Sequence, residues 1–356
     1  MKNLKFRIIE RIDCLKVSFC LGLILLLIFS LSLSVNSQDR RPLRPVTTYS
    51  IVAFDKETGE LGVAVQSHWF SVGAIVPWAE AGVGAVATQS FVDPSYGALG
   101  LELMRAGKTS EEALRGLLRA DRNPEVRQVA MVDASGQVAV HTGKNCIPEA
   151  GHYKGDGFAC QANLMLKNTV WEAMAKAYQN TKGELVDRLI AALEAAEKEG
   201  GDIRGRQSAA IIVVKGKSSG LWWKDRLFDL RVEDHPQPVE ELKRLVKLAK
   251  AYQHMNRGDE LLTENKIQEA LNEYTKAMEL YPDNPEMIFW PAVTMASVGK
   301  VQESLPLFKK VFALDPNWAI LLPRLPEVGQ FPKDKKLLKQ ILELAPKKKI
   351  SRLDIR

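Results

Sequence analysis

One pattern recurs at a fixed distance near the C-terminal end of this chain. Ala270, Tyr274, Ala277, Leu280 and Pro282 return as Ser304, Phe308, Val311, Leu314 and Pro316, each pair 34 residues apart. An order of small, aromatic, small, apolar and proline at that period describes stacked helix pairs. The small residues let two helices approach closely, the aromatic fills the neighbouring groove, and the proline ends the second helix. Such a unit does not bury its apolar face alone, and two copies need neighbours. Helices expected over Glu240–Met255 and Asp334–Leu344, the latter with Asp334 as N-cap, are placed to cap the stack. An unrelated helical bundle is the competing reading of the same stretch.

Before Pro236 and Pro238 the pattern differs. Strand-like runs cover Thr48–Phe54, Leu61–Gln66, Ala74–Trp78 and Gly84–Thr88, with Gly59 and Gly82 as turns and residues 57–60 as a hairpin tip. Ser95–Ala106 and Ser110–Leu118 read as helices, with Gly107 stopping the first and Ser110 capping the second. Val126–Asp133 and Gln137–His141 form a hairpin around Ala134-Ser135-Gly136, and Gly151–Asn163 is irregular or short strand. Leu166–Tyr178 and Leu185–Glu199 are helical by periodicity, and Gly200-Gly201 ends the second. Ala209–Val214 and Phe228–Val232 return to strand. That order predicts an α+β domain in which helices cover antiparallel sheet. No G-x-G-x-x-G joins a strand to a helix, so a nucleotide-binding βαβ fold is not expected.

A chain of 356 residues holds two ordinary domains, and 46% hydrophobic against 26% charged residues is a globular balance. Half of the net charge of +6 lies in residues 1–37, where five Lys and Arg face two acids. The remainder is too weak and scattered for nucleic-acid binding. The basic start ends at Lys16, Val17–Val35 is apolar or small, and Val35-Asn36-Ser37 offers a cut. This signal-peptide pattern predicts removal of residues 1–37 and export to the periplasm or outside the cell. Because 19 residues just span a bilayer, an uncleaved membrane anchor is the alternative. Phe19 before Cys20, and the apolar core after it, argue against lipidation there.

Residues 38–46 read as a linker, 47–238 as the α+β domain, and 239–356 as a helical linker and the repeats. Cys146 and Cys160 remain after the leader, as one disulfide or as two buried thiols. His141 and His152 fit no tetrahedral metal spacing, and no metal or cofactor is expected.

The densest polar cluster is Gly200 to Ala209, joining a helix end to a strand. Its glycines let backbone approach a ligand closely. Asp202 and Arg204 either staple this loop or grip a charged substrate end. At the start of the first strand, Thr48 carries a hydroxyl. Were Thr48 the N-terminus, its own α-amine would serve as base for that hydroxyl.

Several blocks resemble one family in order. They are Thr48–Ala53, Gly59–Ser67, Gly82–Ser90, Arg127–Ala130, His141–Gly143, Gln161–Met165, the Gly200-Gly201-Asp202 cluster and Leu230–His235. Together they resemble the domain of unknown function 1028 family over about residues 47–245. That resemblance implies the N-terminal-nucleophile (Ntn) hydrolase group, a four-layer αββα sandwich, and an amide-bond hydrolase or a relic of one. It supplies no substrate. Thr48 matches the family's leading threonine, the expected nucleophile. Asn163, Asp202, Arg204, Gln207 and Ser208 stand on matched blocks and are pocket candidates, with Gln89 and Ser90 at a strand end. Gln89 and Asn163 also read as hydrogen-bonded core polars. The 34-residue period, for its part, resembles the tetratricopeptide repeat.

The expected protein is therefore an exported Ntn-type amidohydrolase acting on a small amide or peptide, with repeats that dock a protein or peptide partner. The alternative is a catalytically silent ligand-binding scaffold. A cut near Ser37 leaves residues 38–47 ahead of Thr48, so the enzyme reading requires a second cut. A serine hydrolase built on Ser50 or Ser208 with His141 or His235 lacks a G-x-S-x-G elbow.

Overall fold

The computed structural model describes residues 45–346, and the expected leader lies outside them. Among the described residues, strands pair antiparallel into two sheets. The larger sheet contains β1 (Thr48–Phe54), β2 (Leu61–Ser67), β7 (Gly151–Lys154), β8 (Phe158–Ala162), β9 (Ser208–Val214) and β10 (Arg226–Val232), in the order β10-β9-β2-β1-β8-β7. The smaller contains β3 (Pro77–Glu80), β4 (Gly84–Ser90), β5 (Arg127–Asp133) and β6 (Val138–Thr142), in chain order.

Alternation along β1 sorts its side chains. Tyr49, Ile51 and Ala53 face one way, under helices, while Val52 faces the second sheet. Helices α1 (Ser95–Arg105) and α2 (Ser110–Ala120) cover the smaller sheet, with Tyr96, Leu101 and Leu114 on Val86, Val129 and Met131. Helices α3 (Val170–Asn180) and α4 (Leu185–Glu199) cover the larger one, with Met174, Leu189 and Leu193 on Ile51, Ala64 and Ile211. Between the sheets lies a third core of Val52, Val63 and Val65 against Ala85, Ala87, Ala130 and Val132. The layers thus run helix, sheet, sheet, helix. Central strands are covered on both faces, so β9 reads as a continuous small and apolar run, Ser208-Ala209-Ala210-Ile211-Ile212-Val213-Val214.

A one-turn helix, α5 (Trp222–Asp225), precedes β10, and α6 (Pro238–Thr263) follows it. Then come α7 (Ile267–Leu280), α8 (Pro285–Ser297), α9 (Val301–Leu314), α10 (Asn317–Leu321) and α11 (Lys335–Leu342). Helices α7 and α9 superpose on the 34-residue period end for end, and Ala270, Tyr274, Ala277, Ser304, Phe308 and Val311 are all buried. Leu314 breaks the pattern and is exposed. Asp334 caps α11 as expected, accepting the backbone N–H groups of Lys336 and Leu337. No described helix is long and apolar enough to cross a membrane.

Several local expectations are corrected. The cap of α2 is Thr109, not Ser110. Its hydroxyl accepts the Glu112 N–H at 3.2 Å while the Glu112 carboxylate accepts the Thr109 N–H at 3.1 Å. The strand expected over Ala74–Trp78 is a 3-10 turn, Val72–Ala74, followed by β3, because Ser71 turns left-handed at φ 56°. The helix expected from Leu166 starts at Val170, since the Leu166 N–H is held by the Gly201 carbonyl at 2.9 Å. Residues 151–163 resolve into β7 and β8, and the helix expected to end at Met255 runs on to Thr263. Cys146 and Cys160 are both free and buried, so the disulfide alternative falls. Burial pushes both thiols up, which keeps them protonated.

Candidate active site

Alternation places a set of polar side chains on the same inter-sheet face as the apolar middle core, at one end of it. Thr48 and Ser50 lie on the Val52 face of β1, Ser67 on the Val65 face of β2, Gln89 on the Ala87 face of β4, and Gln128 on the Ala130 face of β5. Strand pairing aligns them. Thr48 stands opposite Ser67, Ser67 opposite Ser208, and Gln89 opposite Gln128.

Thr48 is fully buried. Its hydroxyl donates to the Val46 carbonyl at 2.9 Å and lies 3.2 Å from the Ser67 hydroxyl oxygen. The Ser67 hydroxyl makes a short hydrogen bond to the carbonyl oxygen of Thr47. Arg204 Nη2 donates to that same oxygen at 3.2 Å. The carbonyl of the peptide bond ahead of Thr48 therefore faces two donors, one of them a cation. Donors fixed on a carbonyl oxygen stabilise the negative charge that develops there during nucleophilic attack.

Asp202 organises the loop behind this carbonyl. Its oxygens accept the Thr47 hydroxyl at 3.2 Å, the His68 N–H at 3.2 Å and the Arg204 N–H at 2.9 Å. They also take Arg204 Nε at 3.0 Å and Nη2 at 2.7 Å. The pair is thus both a staple of the loop and a donor aimed inward. Gly200 (φ 129°), Gly201 (φ 57°) and Gly205 (φ 108°) supply backbone conformations that side chains disfavour. From the helix side, Arg206 pairs with Glu197, which also takes a short hydrogen bond from the Tyr49 hydroxyl. Burial, then the Glu197 charge, pushes the Tyr49 phenol well up, and burial raises the Glu197 carboxyl.

Of the residues expected from sequence, Thr48, Gln89, Asn163, Asp202 and Arg204 meet in one network. Gln89 Nε2 donates to the Thr48 carbonyl at 3.1 Å and to Gln128 Oε1 at 2.7 Å. Gln89 Oε1 accepts the Ser50 hydroxyl at 2.6 Å. Asn163 donates its backbone N–H to the Thr48 carbonyl at 3.1 Å and its amide to Gln128 Oε1 at 2.8 Å, while its buried Oδ1 has no partner among the described residues. Ser90 joins through its backbone, exchanging both hydrogen bonds with Val46 at 2.7 and 3.0 Å. Its φ of 69° is strained for a residue with a side chain. Ser208 turns away, bonding the Trp69 carbonyl and the Val72 N–H, and Gln207 gives its backbone carbonyl to His235. The alternative serines are engaged elsewhere, and His141 Nε2 is bonded to the Pro124 carbonyl at 2.9 Å. Among the described residues, no group of three or more His, Cys, Asp or Glu is placed to hold a metal ion.

Sequence reasoning missed Ser67, Gln128 and Gln161. Gln161 Nε2 donates to the Ala87 carbonyl at 3.0 Å and to Ser50 Oγ at 3.3 Å, bridging the sheets. A signal for Ser67 lies in the sequence: β2 and β4 both end in Gln-Ser, and Gln89 and Ser90 are the second of these pairs.

The model of a family of unknown function, DUF1028, matches residues 48–242, more than half of the chain. The crystal structure of protein SPO2555 from Silicibacter pomeroyi, itself assigned to DUF1028, is 29% identical with a TM-score of 0.52, over 57% of this chain and 86% of that one. Anbu (ancestral beta-subunit) from Yersinia bercovieri overlaps 55% of this chain and 92% of its own at 10% identity, with a TM-score of 0.29 that carries no argument. No curated protein matches. With the family match beginning at Thr48 itself, the chain belongs to the DUF1028 family.

Proposed function

We propose that this protein is an exported amide-bond hydrolase of the N-terminal-nucleophile type, with Thr48 as nucleophile after a cut at Thr47–Thr48. One observation carries the reading: the Thr47 carbonyl oxygen accepts hydrogen bonds from Ser67 and Arg204 beside the Thr48 hydroxyl. In the cut, that hydroxyl adds to the Thr47 carbonyl carbon while Ser67 and Arg204 hold the oxyanion. The C–N bond breaks, the nitrogen takes the hydroxyl proton, and water hydrolyses the resulting ester. Thr48 then has a free amine, with an ordinary pKa of about 7.7–8.0, to serve as base toward an external amide. The helix–sheet–sheet–helix layering, which is that of the Ntn fold, supports the same reading. The helices after residue 238, read as tetratricopeptide-like, would dock a protein or peptide partner.

Mass spectrometry and N-terminal sequencing of the purified full chain test this. The expected outcome is Thr48 at the N-terminus of wild type, an uncut and inactive Thr48→Ala chain, and a slowly cut Thr48→Ser chain. Amide hydrolysis by a chain that keeps Thr47 would remove Thr48 from the mechanism. A second reading has its own support. Val46 is fully buried and bridged to Ser90, so the upstream segment behaves as part of the fold. On that reading the site stays filled, the domain is catalytically silent, and the repeats carry the function.

A further inference from the structure

Val46 and Thr47 are fully buried. The Thr47 hydroxyl is bonded to Asp202 at 3.2 Å. Its carbonyl is bonded to Ser67 and to Arg204 at 3.2 Å. The Val46 N–H and carbonyl form a one-rung antiparallel ladder with Ser90, and the Val46 side chain joins the apolar core between the sheets. A cut at Thr47–Thr48 releases the segment that ends in Val46 and Thr47 and leaves behind the groups that held it. Those groups are a strand end open for pairing, an apolar seat, a buried carboxylate and two donors where a carbonyl oxygen had been. The pieces match β-augmentation, in which backbone pairing supplies affinity and side-chain seats supply selectivity.

We infer that Val46 and Thr47 mark the acyl-side subsites of Thr48, so that the substrates are extended peptides cut after a hydroxyl-bearing Thr or Ser that follows a small apolar residue. This rests on the reading of Thr48 as nucleophile. Asp202 selects at the residue before the cut by accepting its hydroxyl. An acidic side chain there meets like charge, and a basic one finds the carboxylate already bonded to Arg204. Ser90 aligns the residue before that through its backbone. In each turnover the Thr48 hydroxyl forms an ester with the substrate carbonyl and the amine leaves with a proton. Water then releases a peptide ending in a Thr carboxylate. Ser67 and Arg204 face that carboxylate, so the product is expected to bind as well.

The test uses the purified full chain, first sequenced at its N-terminus. Hydrolysis of acetyl-Pro-Val-Thr-aminomethylcoumarin is compared with versions carrying Val, Glu or Lys in place of Thr. Binding of acetyl-Pro-Val-Thr and acetyl-Pro-Val-Val as free acids is measured by calorimetry. A hydrogen bond to a charged group sets the expected preference for Thr over the near-isosteric Val at about 10- to 100-fold. Glu and Lys are expected to be poorer still. Thr48 at the N-terminus, with neither hydrolysis nor binding separating Thr from Val, overturns the subsite assignment alone. A chain that keeps Thr47 overturns the hydrolase reading, and the subsite assignment with it. If no coumarin substrate is cut by a chain starting at Thr48, the binding arm decides: Thr over Val supports the assignment, and equal or absent binding ends it.

Discussion

Arg127 is the side chain on which the smaller sheet's end of the site rests. It is 6% exposed, and its Nε binds Asp121 at 2.6 Å while Nη2 reaches Asp93 at 3.4 Å. Its Nη1 donates to the carbonyl of Phe91, directly after the strained Ser90. Asp121 also accepts the Tyr96 hydroxyl at 3.0 Å and the Asn123 N–H at 2.8 Å. Burial pulls the Asp121 carboxyl upward, but the hydrogen bonds from Arg127 and Asn123 outweigh it and hold the carboxyl below its ordinary range. Asp121 is only partly buried and Arg127 keeps Asp93, so the loss is that of one hydrogen bond to a charged group, and Asp121→Asn is expected to destabilise by about 1.5–3 kcal/mol at pH 7. Because the folded value lies below the unfolded one, near ~3.9, the stabilisation is complete above that value and is lost as pH falls through the folded one. Urea denaturation of wild type and variant at pH 7 and pH 3 should therefore show a gap that is smaller in acid. An equal gap at both pH values would mean that shape, not charge, is what Asp121 supplies. At this same scale, Asp202 and Arg204 were legible from their glycine-dense loop, and Thr48 from its match to the family's leading threonine. Ser67, despite the Gln-Ser ending it shares with β4, and Gln128 were not, because polar residues near a strand end read as a solvent face. Only the pairing of two sheets turns that face inward.

Whole elements were legible where the pattern was long or sharply bounded. Thr48–Phe54 and Leu185–Glu199 have the expected ends, the first set by a proline-bearing segment and a turn glycine, the second by Gly200. Ala74–Trp78 was not, because the left-handed Ser71 leaves no mark in the pattern. The 34-residue period in the sequence rests on residues of α7 and α9 and the proline that follows each. Gly258 in α6 and Ala292 in α8 are also 34 residues apart, and both are buried. A Cβ on Gly258 would stand 2.4 Å from the Tyr274 ring, whose hydroxyl is anchored on Asp259 at 2.6 Å. Gly258→Ala gains about 1 kcal/mol of helix propensity but overpacks a fixed ring, at about 1–3 kcal/mol. The ring cannot retreat without losing Asp259, so the net expectation is a lower melting temperature. A rise in melting temperature would show that α6 and α7 separate at little cost.

At the scale of the molecule, α6 is the element that decides where one part ends and the next begins. Its 26 residues extend about 39 Å at 1.5 Å each, without interruption. Val239, Leu242 and Val246 lie in the core that covers the larger sheet. Lys250 binds Asp187 at 2.7 Å and Glu184 at 3.1 Å, at the start of α4. Ala251, Met255 and Leu261 then pack with Leu271 and Tyr274 of α7. The family match stops at residue 242, inside this helix, and the expected domain seam at 238 falls at its first turn. A chain cut at that seam loses three aliphatic side chains from the helix–sheet core. At about 1.5–3 kcal/mol each, that is comparable with the whole stability of an ordinary domain. A chain ending at residue 238 is therefore expected to melt without cooperativity and to bind a hydrophobic dye. One ending at residue 263 should retain a cooperative transition and a Thr48 site that can be assayed. Equal melting of the two would make α6 a mere connector. Any effect at Thr48 of removing the C-terminal helices is interpretable only with the longer chain, because the shorter one damages the sheet on which Thr48 stands.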